Sequence, residues 1–341
     1  MNKLRIAVVH QIINSESPPD ELDVQVQVET VCAILKESGL EVQAMPCSLD
    51  LSLITSSLKI WRADLVFNLV ESLEGQCRLM SLFPARLDSI GMPYSGSKTE
   101  TLCATTHKVF AKQYLRRAGI PTPSWIGPYP RDLSTVWEDK PHEEQNKVGC
   151  WIIKSLWEHA SFGLHDEGVV RGDEVYLNRL LRERSPSLGG SCFAEEFIQG
   201  REFNLSILGG PFGPQILPPA EIVFNDYEPD RPRIVGYRAK WDPDSYEYNH
   251  TTRCFEFPEE DLDLLKQLKK IALQCWHLLD LRGYARIDFR VDEGKKPWVL
   301  EINANPCLSP EAGFAAALTQ GGLSLRDALE RIIVEAGQET S

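Results

Sequence analysis

No stretch of this 341-residue chain approaches the ~20 consecutive apolar residues that a membrane-spanning helix needs. The N-terminus, MNKLRIAVVHQIIN, lacks a small-residue cleavage site. His10 and Gln11 break its apolar run, so it reads as a first buried strand and not as a signal peptide. Positive charge is scarce: 36 Lys and Arg stand against 49 Asp and Glu, a net charge of −13. That balance argues against a nucleic-acid groove or an anionic membrane surface as partner. It leaves room for a small polyanion, because a few local cations can make one pocket positive. None of the nine cysteines forms a C-x-x-C pair, and an odd number without framework spacing suggests reduced, mostly buried thiols in a cytoplasmic protein. Cys275-x-His277 is the nearest approach to a metal pair and reads as core of an amphipathic helix. Internal repeats, low-complexity tails and a G-x-G-x-x-G loop are also lacking.

What is present is an ordinary globular composition, 43% hydrophobic and 25% charged, in a chain long enough for two or three packed subdomains. The first hundred residues alternate strand and helix: LRIAVV, a helix over 24–38, EVQAM, a helix over 49–61, DLVFNLV, and a helix over 78–90. This rhythm predicts a small open parallel sheet whose ligands lie beyond the C-terminal strand ends, at 10–13 and 68–75. A helix over 105–118 stops at Gly119, and 127–147 reads as a polar surface connection. CWIIK is a strand, 173–184 a helix, and SCFAEEFI, EFNLSIL and AEIVF are strands. A long helix over 261–279 places Leu262, Leu265, Leu268, Ile271, Ala272 and Cys275 on one face, before two more strands and two closing helices.

Those two strands, ARIDFRV and WVLEIN, form a hairpin if the loop is 293–296. Asp288 then faces Glu301, and Arg286 faces Asn303. All four share one surface, while Ile287, Phe289, Leu300 and Ile302 point into a core. Two carboxylates and an amide oxygen are hard ligands suited to Mg²⁺ together with phosphate oxygens. Arg286 can steady negative charge developing nearby. A solvated hairpin face explains the spacing equally well, so the pattern needs a nucleotide site to support it.

GMPYSGSKT (91–99) is one residue out of register for a phosphate-binding loop, and Pro93 stiffens it; it reads as a bend. A dispersed site is the other option. Lys154 ends the strand CWIIK before the small-residue loop SLWEHASFG, Lys108 lies on the preceding helix, and AEEFIQGREF offers an edge strand with Glu202 beyond it. Each piece alone is commonly structural.

In order, Lys108, Lys154, Glu195–Ile198, Glu202, Lys240, Arg286-x-Asp288 and Glu301-x-Asn303 resemble the ATP-grasp fold, closest to its D-alanine–D-alanine ligase branch. The flanks HKVFAKQYLRRAGIPTPSW, IIKSLWEHASFG, FAEEFIQGREFNLSIL, RIDFRV and LEINANP carry the likeness from about residue 90 onward. The resemblance implies an α/β (α+β) ATP-grasp fold. An N-terminal open parallel sheet domain (1–100) precedes central (101–190) and C-terminal (191–341) subdomains that enclose ATP. By the same match, Lys108 and Lys154 contact phosphates and the adenine edge, and Glu195 accepts from the adenine amino group. The backbone of Glu196 and Ile198 reads the base, Phe197 lines its pocket and Glu202 holds the ribose. Asp288, Glu301 and Asn303 look like ligands for two Mg²⁺ ions, with Mn²⁺ as an alternative. Lys240 looks like the terminal-phosphate lysine, Ser161 belongs to a closing loop, and Arg286 steadies an acyl phosphate. The implied activity is ADP-forming ligation of a carboxylate to an amine, with 155–164 and 240–252 as closing segments.

The substrate positions depart from that pattern. The acid-rich stretch after the first strand offers Glu16, Glu21 or Asp23 without secure alignment, and NLVESLEG lacks the family histidine. Asn305-Pro306-Cys307 replaces a small-Pro-Gly turn, and Ala312 stands near the place of an acceptor-gripping serine. Glu71, Asn305 and Ser309 are the substrate contacts suggested. The implied partners are small carboxylates and amines, amino acids or a peptide, with a homodimer expected from the family alone. A true D-alanine–D-alanine ligase with a divergent pocket, or an ATP-binding module without ligation, are the other readings.

Overall fold

The computed structural model describes residues 3–14, 17–132 and 148–338; most of the 127–147 connection and Glu16 lie outside them. Among these residues the strands form three sheets. The first is parallel, with β1 (Arg5–Gln11) between β2 (Glu41–Cys47) and β3 (Leu65–Leu69). β3 is fully buried, as the unbroken apolar run requires when helices cover both faces. The helices α1 (Pro19–Glu37), α2 (Leu51–Trp61) and α3 (Leu82–Ser89) supply that cover. Tyr94 pairs with Val66 in an isolated parallel bridge, so the 91–99 bend runs alongside β3.

The expected helix over 105–118 is two helices, α4 (Thr99–Thr106) and α5 (Lys108–Arg117). His107 makes the break: its ring Nδ1 accepts from Phe110 N–H at 3.1 Å and caps α5. Lys108 thereby becomes the first residue of α5, with Lys112 one turn behind it.

The central sheet runs β4 (Trp125–Tyr129), β7 (Cys192–Glu196), β5 (Gly149–Ser155), β6 (Val169–Gly172), and α6 (Glu174–Arg184) packs on it. Because β7 pairs with β4 and β5, the central sheet extends to Glu196, past the expected boundary at 190. It also makes Glu195–Glu196 part of an interior strand and not of an edge.

The C-terminal sheet is antiparallel: β11 (Thr251–Cys254), β10 (Ala220–Phe224), β8 (Arg201–Leu208), β12 (Tyr284–Val291) and β13 (Pro297–Ala304), with β9 (Gln215–Ile216) beside β8. Its apolar face, Phe203, Leu205, Ile207, Ile287, Phe289 and Ile302, packs on α9 (Leu262–Leu278). The buried stripe of α9 is Leu264, Leu268, Ile271, Ala272, Cys275 and Trp276, rotated from the expected face; Leu262 is 52% exposed. Cys275 is core and His277 is exposed, so they form no metal pair. Four cysteines are buried, four are half-buried and Cys103 is exposed, so fewer are interior than expected; all nine are free.

The closing helices α10 (Gly313–Gln320) and α11 (Leu325–Gln338) pack on the N-terminal sheet. Phe314, Leu329 and Ile332 share one core with Ile6, Val8 and Phe67. Phe314 is fully buried and meets Tyr284 edge-on at 5.6 Å. Phe314→Ala should therefore cost about 3–5 kcal/mol. Urea unfolding read by fluorescence checks this; a change below about 1 kcal/mol would mean that the two ends of the chain do not share a core.

Candidate functional site between two sheets

The hairpin pairs Arg286 with Asn303 and Asp288 with Glu301, the register anticipated from the loop. Beyond Asp288 a bulge shifts the pairing, so Phe289 faces Val299. Val299 is fully buried in the place expected for Leu300, which is only half-buried. The bulge absorbs one residue and leaves the polar row intact. Across the sheet, β8 sets Ser206, Asn204 and Glu202 opposite Arg286, Asp288 and Arg290. One face of three adjacent strands is therefore polar, and it looks toward the central sheet.

Charges on this face are matched at close range. Arg286 donates to both oxygens of Asp288, at 2.8 and 2.9 Å. Asn204 and Asn303 donate to the same carboxylate at 2.8 and 2.9 Å. Asn303 spends its nitrogen there, which leaves its oxygen as the end open to a cation. Glu301 Oε1 is buried without a hydrogen bond; Lys108 Nζ lies 3.4 Å away and His159 Nδ1 3.7 Å. Burial alone would raise the Glu301 carboxyl, but Lys108 and His159 outweigh it and hold it well below the usual range. An orphaned, ionised oxygen between two oxygen donors fits a hard divalent cation. No group of three His, Cys, Asp or Glu side chains among the described residues makes a metal cage. The set suits an ion that takes its remaining oxygens from a ligand.

The opposite wall is built from β5 and β7. Lys154 Nζ and Lys112 Nζ each lie 2.5 Å from an oxygen of Glu195. Glu196 N–H donates to Ser124 O and Phe197 N–H to Cys150 O, so neither residue has a free backbone N–H. Glu202 pairs with Arg290 at 3.3 Å, and the Arg290 guanidinium lies 5.5 Å from the Phe197 ring.

Two segments close over this gap. Ala160 and Ser161 both adopt left-handed backbone, a costly conformation for residues with a Cβ. Ser161 Oγ donates to Val235 O at 2.8 Å, and Trp241 Nε1 donates to Ala160 O at 3.1 Å. The short helix α7 (Tyr237–Trp241) carries Lys240, whose ammonium is pushed down by burial and by Arg286. Tyr237 OH donates to Asp20 at the start of α1, joining this segment to the N-terminal sheet as well.

Each of the suggested substrate residues has a polar partner of its own. Asn305 accepts from Ser97 N–H at 2.9 Å with its own φ at +60°; a Cβ on Gly96 would fall 2.3 Å from Asn305 Oδ1, so only glycine permits that approach. Ser309 Oγ and Cys307 Sγ both donate to Asp23, at 2.7 and 2.9 Å. Glu71 accepts from Gln27 at 2.9 Å and lines a small cavity with Asn68, Tyr284 and Asn305. Asn68 Nδ2, buried at that cavity, has no partner.

Sequence reading missed Lys112, Asn204 and Arg290. Arg290 continues the i, i+2 alternation of Arg286 and Asp288, and Lys112 repeats Lys108 at helical spacing, so both left a signal. Asn204 left none, because its role depends on β8 pairing with β12.

The fold and this charged cleft define an ATP-grasp enzyme. Residues 114–334 match the family described as D-ala D-ala ligase C-terminus. A D-alanine–D-alanine ligase of Synechococcus sp. (strain JA-2-3B'a(2-13)) is 30% identical over 264 residues, 74% of this chain and 70% of that protein. The uncharacterized protein y4sG of Sinorhizobium fredii is 26% identical over 312 residues, 89% of this chain and 85% of that one. The crystal structure of the Bacillus anthracis D-alanine–D-alanine ligase complexed with ATP superposes with a TM-score of 0.72 at 22% identity, covering 99% of this chain and 100% of that chain, a likeness of fold. The chain belongs to the D-alanine–D-alanine ligase family of ATP-dependent, ADP-forming ligases. No helix among the described residues is long and apolar enough to cross a membrane.

Burial pushes the Glu71 carboxyl up to about 7, with Gln27 opposing and Asp23 and Asp20 adding to it. A carboxyl raised on folding adds stability below its ordinary 4.5, and that stability is lost as pH climbs through about 7. The melting temperature of Glu71→Gln should therefore gain on wild type between about pH 5 and about pH 8. A gap independent of pH would place Glu71 in water.

Proposed function

We propose that this enzyme joins a carboxylate to an amine through an acyl phosphate, on substrates other than a pair of D-alanines. The observation that carries the reading is the convergence of Asp288, Glu301, Asn303 and Arg286 from one sheet with Lys108 and Lys154 beside the other. A carboxylate oxygen takes the terminal phosphoryl group of ATP and ADP leaves. The amine then attacks the activated carbonyl carbon, phosphate departs, and the amine proton is lost. Lys108, Lys154 and Lys240 hold the phosphates, and Arg286 steadies charge on the acyl phosphate and tetrahedral oxygen. Glu195, the Glu196 carbonyl, Phe197, Ile198 and Glu202 take the base and ribose. Asp288, Glu301 and Asn303 hold Mg²⁺, which neutralises charge between phosphates when bound. Ser161 and the segments at 155–164 and 240–252 exclude water from the intermediate.

The proposed substrates are amino acids or a peptide. Support for a pair different from D-alanine is that Asn305 and Ser309 are engaged by Ser97 and Asp23, while Glu71 and the unpartnered Asn68 share a small cavity with Asn305. Nine free thiols support a reducing, cytoplasmic setting.

The purified chain with ATP, Mg²⁺ and a panel of amino acids and small amines should release ADP and phosphate only with the right pair, and product mass then names it. Best turnover with D-alanine alone would overturn the substrate reading. ATP binding without stimulated ADP release across the panel would leave a nucleotide-binding module. Glu301→Ala and Lys154→Ala should abolish turnover with the fold intact, and near-normal rates in either would contradict these roles.

A further inference from the structure

Lys112 is enclosed where α5 meets both sheets. Its side chain is 1% exposed, with Nζ 2.5 Å from Glu195 Oε2 and donating to Thr122 Oγ1 at 2.9 Å. Thr122 in turn donates to Val299 O at 2.8 Å, so the lysine is anchored to β13 as well as to β7. Lys154 approaches the same carboxylate from the other side, 2.5 Å from Oε1, with its side chain 18% exposed. Two ammonium groups thus share one carboxylate that is itself 1% exposed.

This arrangement carries one positive charge too many for a buried site, and an unpaired buried cation is costly. Burial pushes the Lys112 ammonium down while Glu195 holds it up; an anion relieves the excess charge without loss of a proton, and only Lys154 has an amine open to one. Lys112 is walled in and tied to Thr122. The two lysines therefore have different fates when a polyanion arrives. We propose that Lys112 is the positioning residue for base recognition: it stays on Glu195 and keeps that carboxylate charged and aimed, which frees Lys154 for the phosphates and Glu195 Oε1 for the exocyclic amino group of adenine. The inference rests on the reading of this cleft as an ATP site.

The exchange conserves both charge and hydrogen bonds. Lys154 trades a carboxylate for phosphate oxygens, and Glu195 trades one N–H donor for another. Burial works to raise the Glu195 carboxyl, yet Lys112 and Lys154 together hold it below its usual range. Without Lys112, Lys154 would be the only ammonium in contact with Glu195, and moving it to a phosphate would leave that buried carboxylate without a contacting cation. An ionised carboxylate only accepts hydrogen bonds, so it favours adenine and opposes hypoxanthine, which presents a carbonyl at that position.

The test is equilibrium binding of ATP and of ITP to the full chain by calorimetry, which needs no knowledge of the ligation substrates. Wild type should prefer ATP. Lys112→Met should weaken ATP by about tenfold and shrink the ATP-to-ITP ratio toward one, the size expected for one lost hydrogen bond. Lys112→Arg, which keeps the charge, should retain the preference. If Lys112 only props up the fold, both nucleotides weaken alike and the ratio is unchanged, which overturns the inference while leaving the ATP site standing. Should Lys112→Met fail to fold, Lys112→Gln and Lys112→Arg decide on the same ratio: loss in glutamine alone supports the role, and equal ratios overturn it. Wild type binding neither nucleotide would overturn the ATP reading itself, and this inference with it.

Discussion

The period-2 alternation of β8, β12 and β13 is the constraint on which the rest of the molecule depends. Successive side chains of a strand point to opposite faces, so one sheet can bury Phe203, Leu205, Ile287 and Phe289 against α9 while turning Glu202, Asn204, Asp288 and Glu301 the other way. The apolar face supplies the stability that lets the polar face be crowded with charge. A slip of one residue would exchange the two faces, ruining core and site together. The bulge opposite Phe289 shows how the register is protected. The extra residue is taken up at Leu300, beyond the Asp288–Glu301 pair, so the hairpin turn can vary without moving the acidic row.

Charge on that face, and on β7 opposite it, is tolerable because each of these carboxylates has a cation close by. Asp288 has Arg286 on its own strand, Glu202 has Arg290, Glu301 has Lys108 from α5, and Glu195 has Lys112 and Lys154. Of these pairs, Lys108–Glu301 crosses from α5 to the C-terminal sheet, while the two lysines on Glu195 join α5 and β5 to β7. They are also the pairs that a polyanion would disturb, since phosphates compete for the lysines and cations compete for the carboxylates. The segment around Tyr237–Trp241 adds a mechanical link, bonded at once to Ala160, Leu164 and Asp20, so the loop after β5 and the start of α1 sit together over the cleft.

How much of this was legible in the sequence varied with the distance over which each feature is encoded. The parallel order of the first sheet and the pairing of Arg286 with Asn303 follow from local periodicity and loop length, and both stand as read. The interior position of β7 was not legible, because nothing in CFAEE says which strands will flank it; the pairing with β4 took Glu196 N–H out of use. The face of α9 was misjudged by about one position, since leucines on several sides of the helix make the apolar stripe ambiguous and only the shape of the sheet chooses among them. Asn305 and Ser309 follow the polar row closely in the chain, and that position alone suggests a place near substrate. Their amide and hydroxyl groups tie the hairpin end to Ser97 and Asp23, partners more than two hundred residues away in the chain, which no local spacing encodes.

The sequence by itself determined the strand and helix order of the first hundred residues, the polar row at 286–303 and the family to which the chain belongs. These rest on spacing and residue type, which act over a few residues and survive any rearrangement of neighbours. The tertiary structure decided which lysine meets which glutamate, that the C-terminal helices share a core with the N-terminal sheet, and that Asp23, Gln27 and Glu71 converge on Cys307–Ser309. Those are contacts between segments far apart in the chain, and their geometry exists only once burial of the apolar faces has fixed the layers against each other.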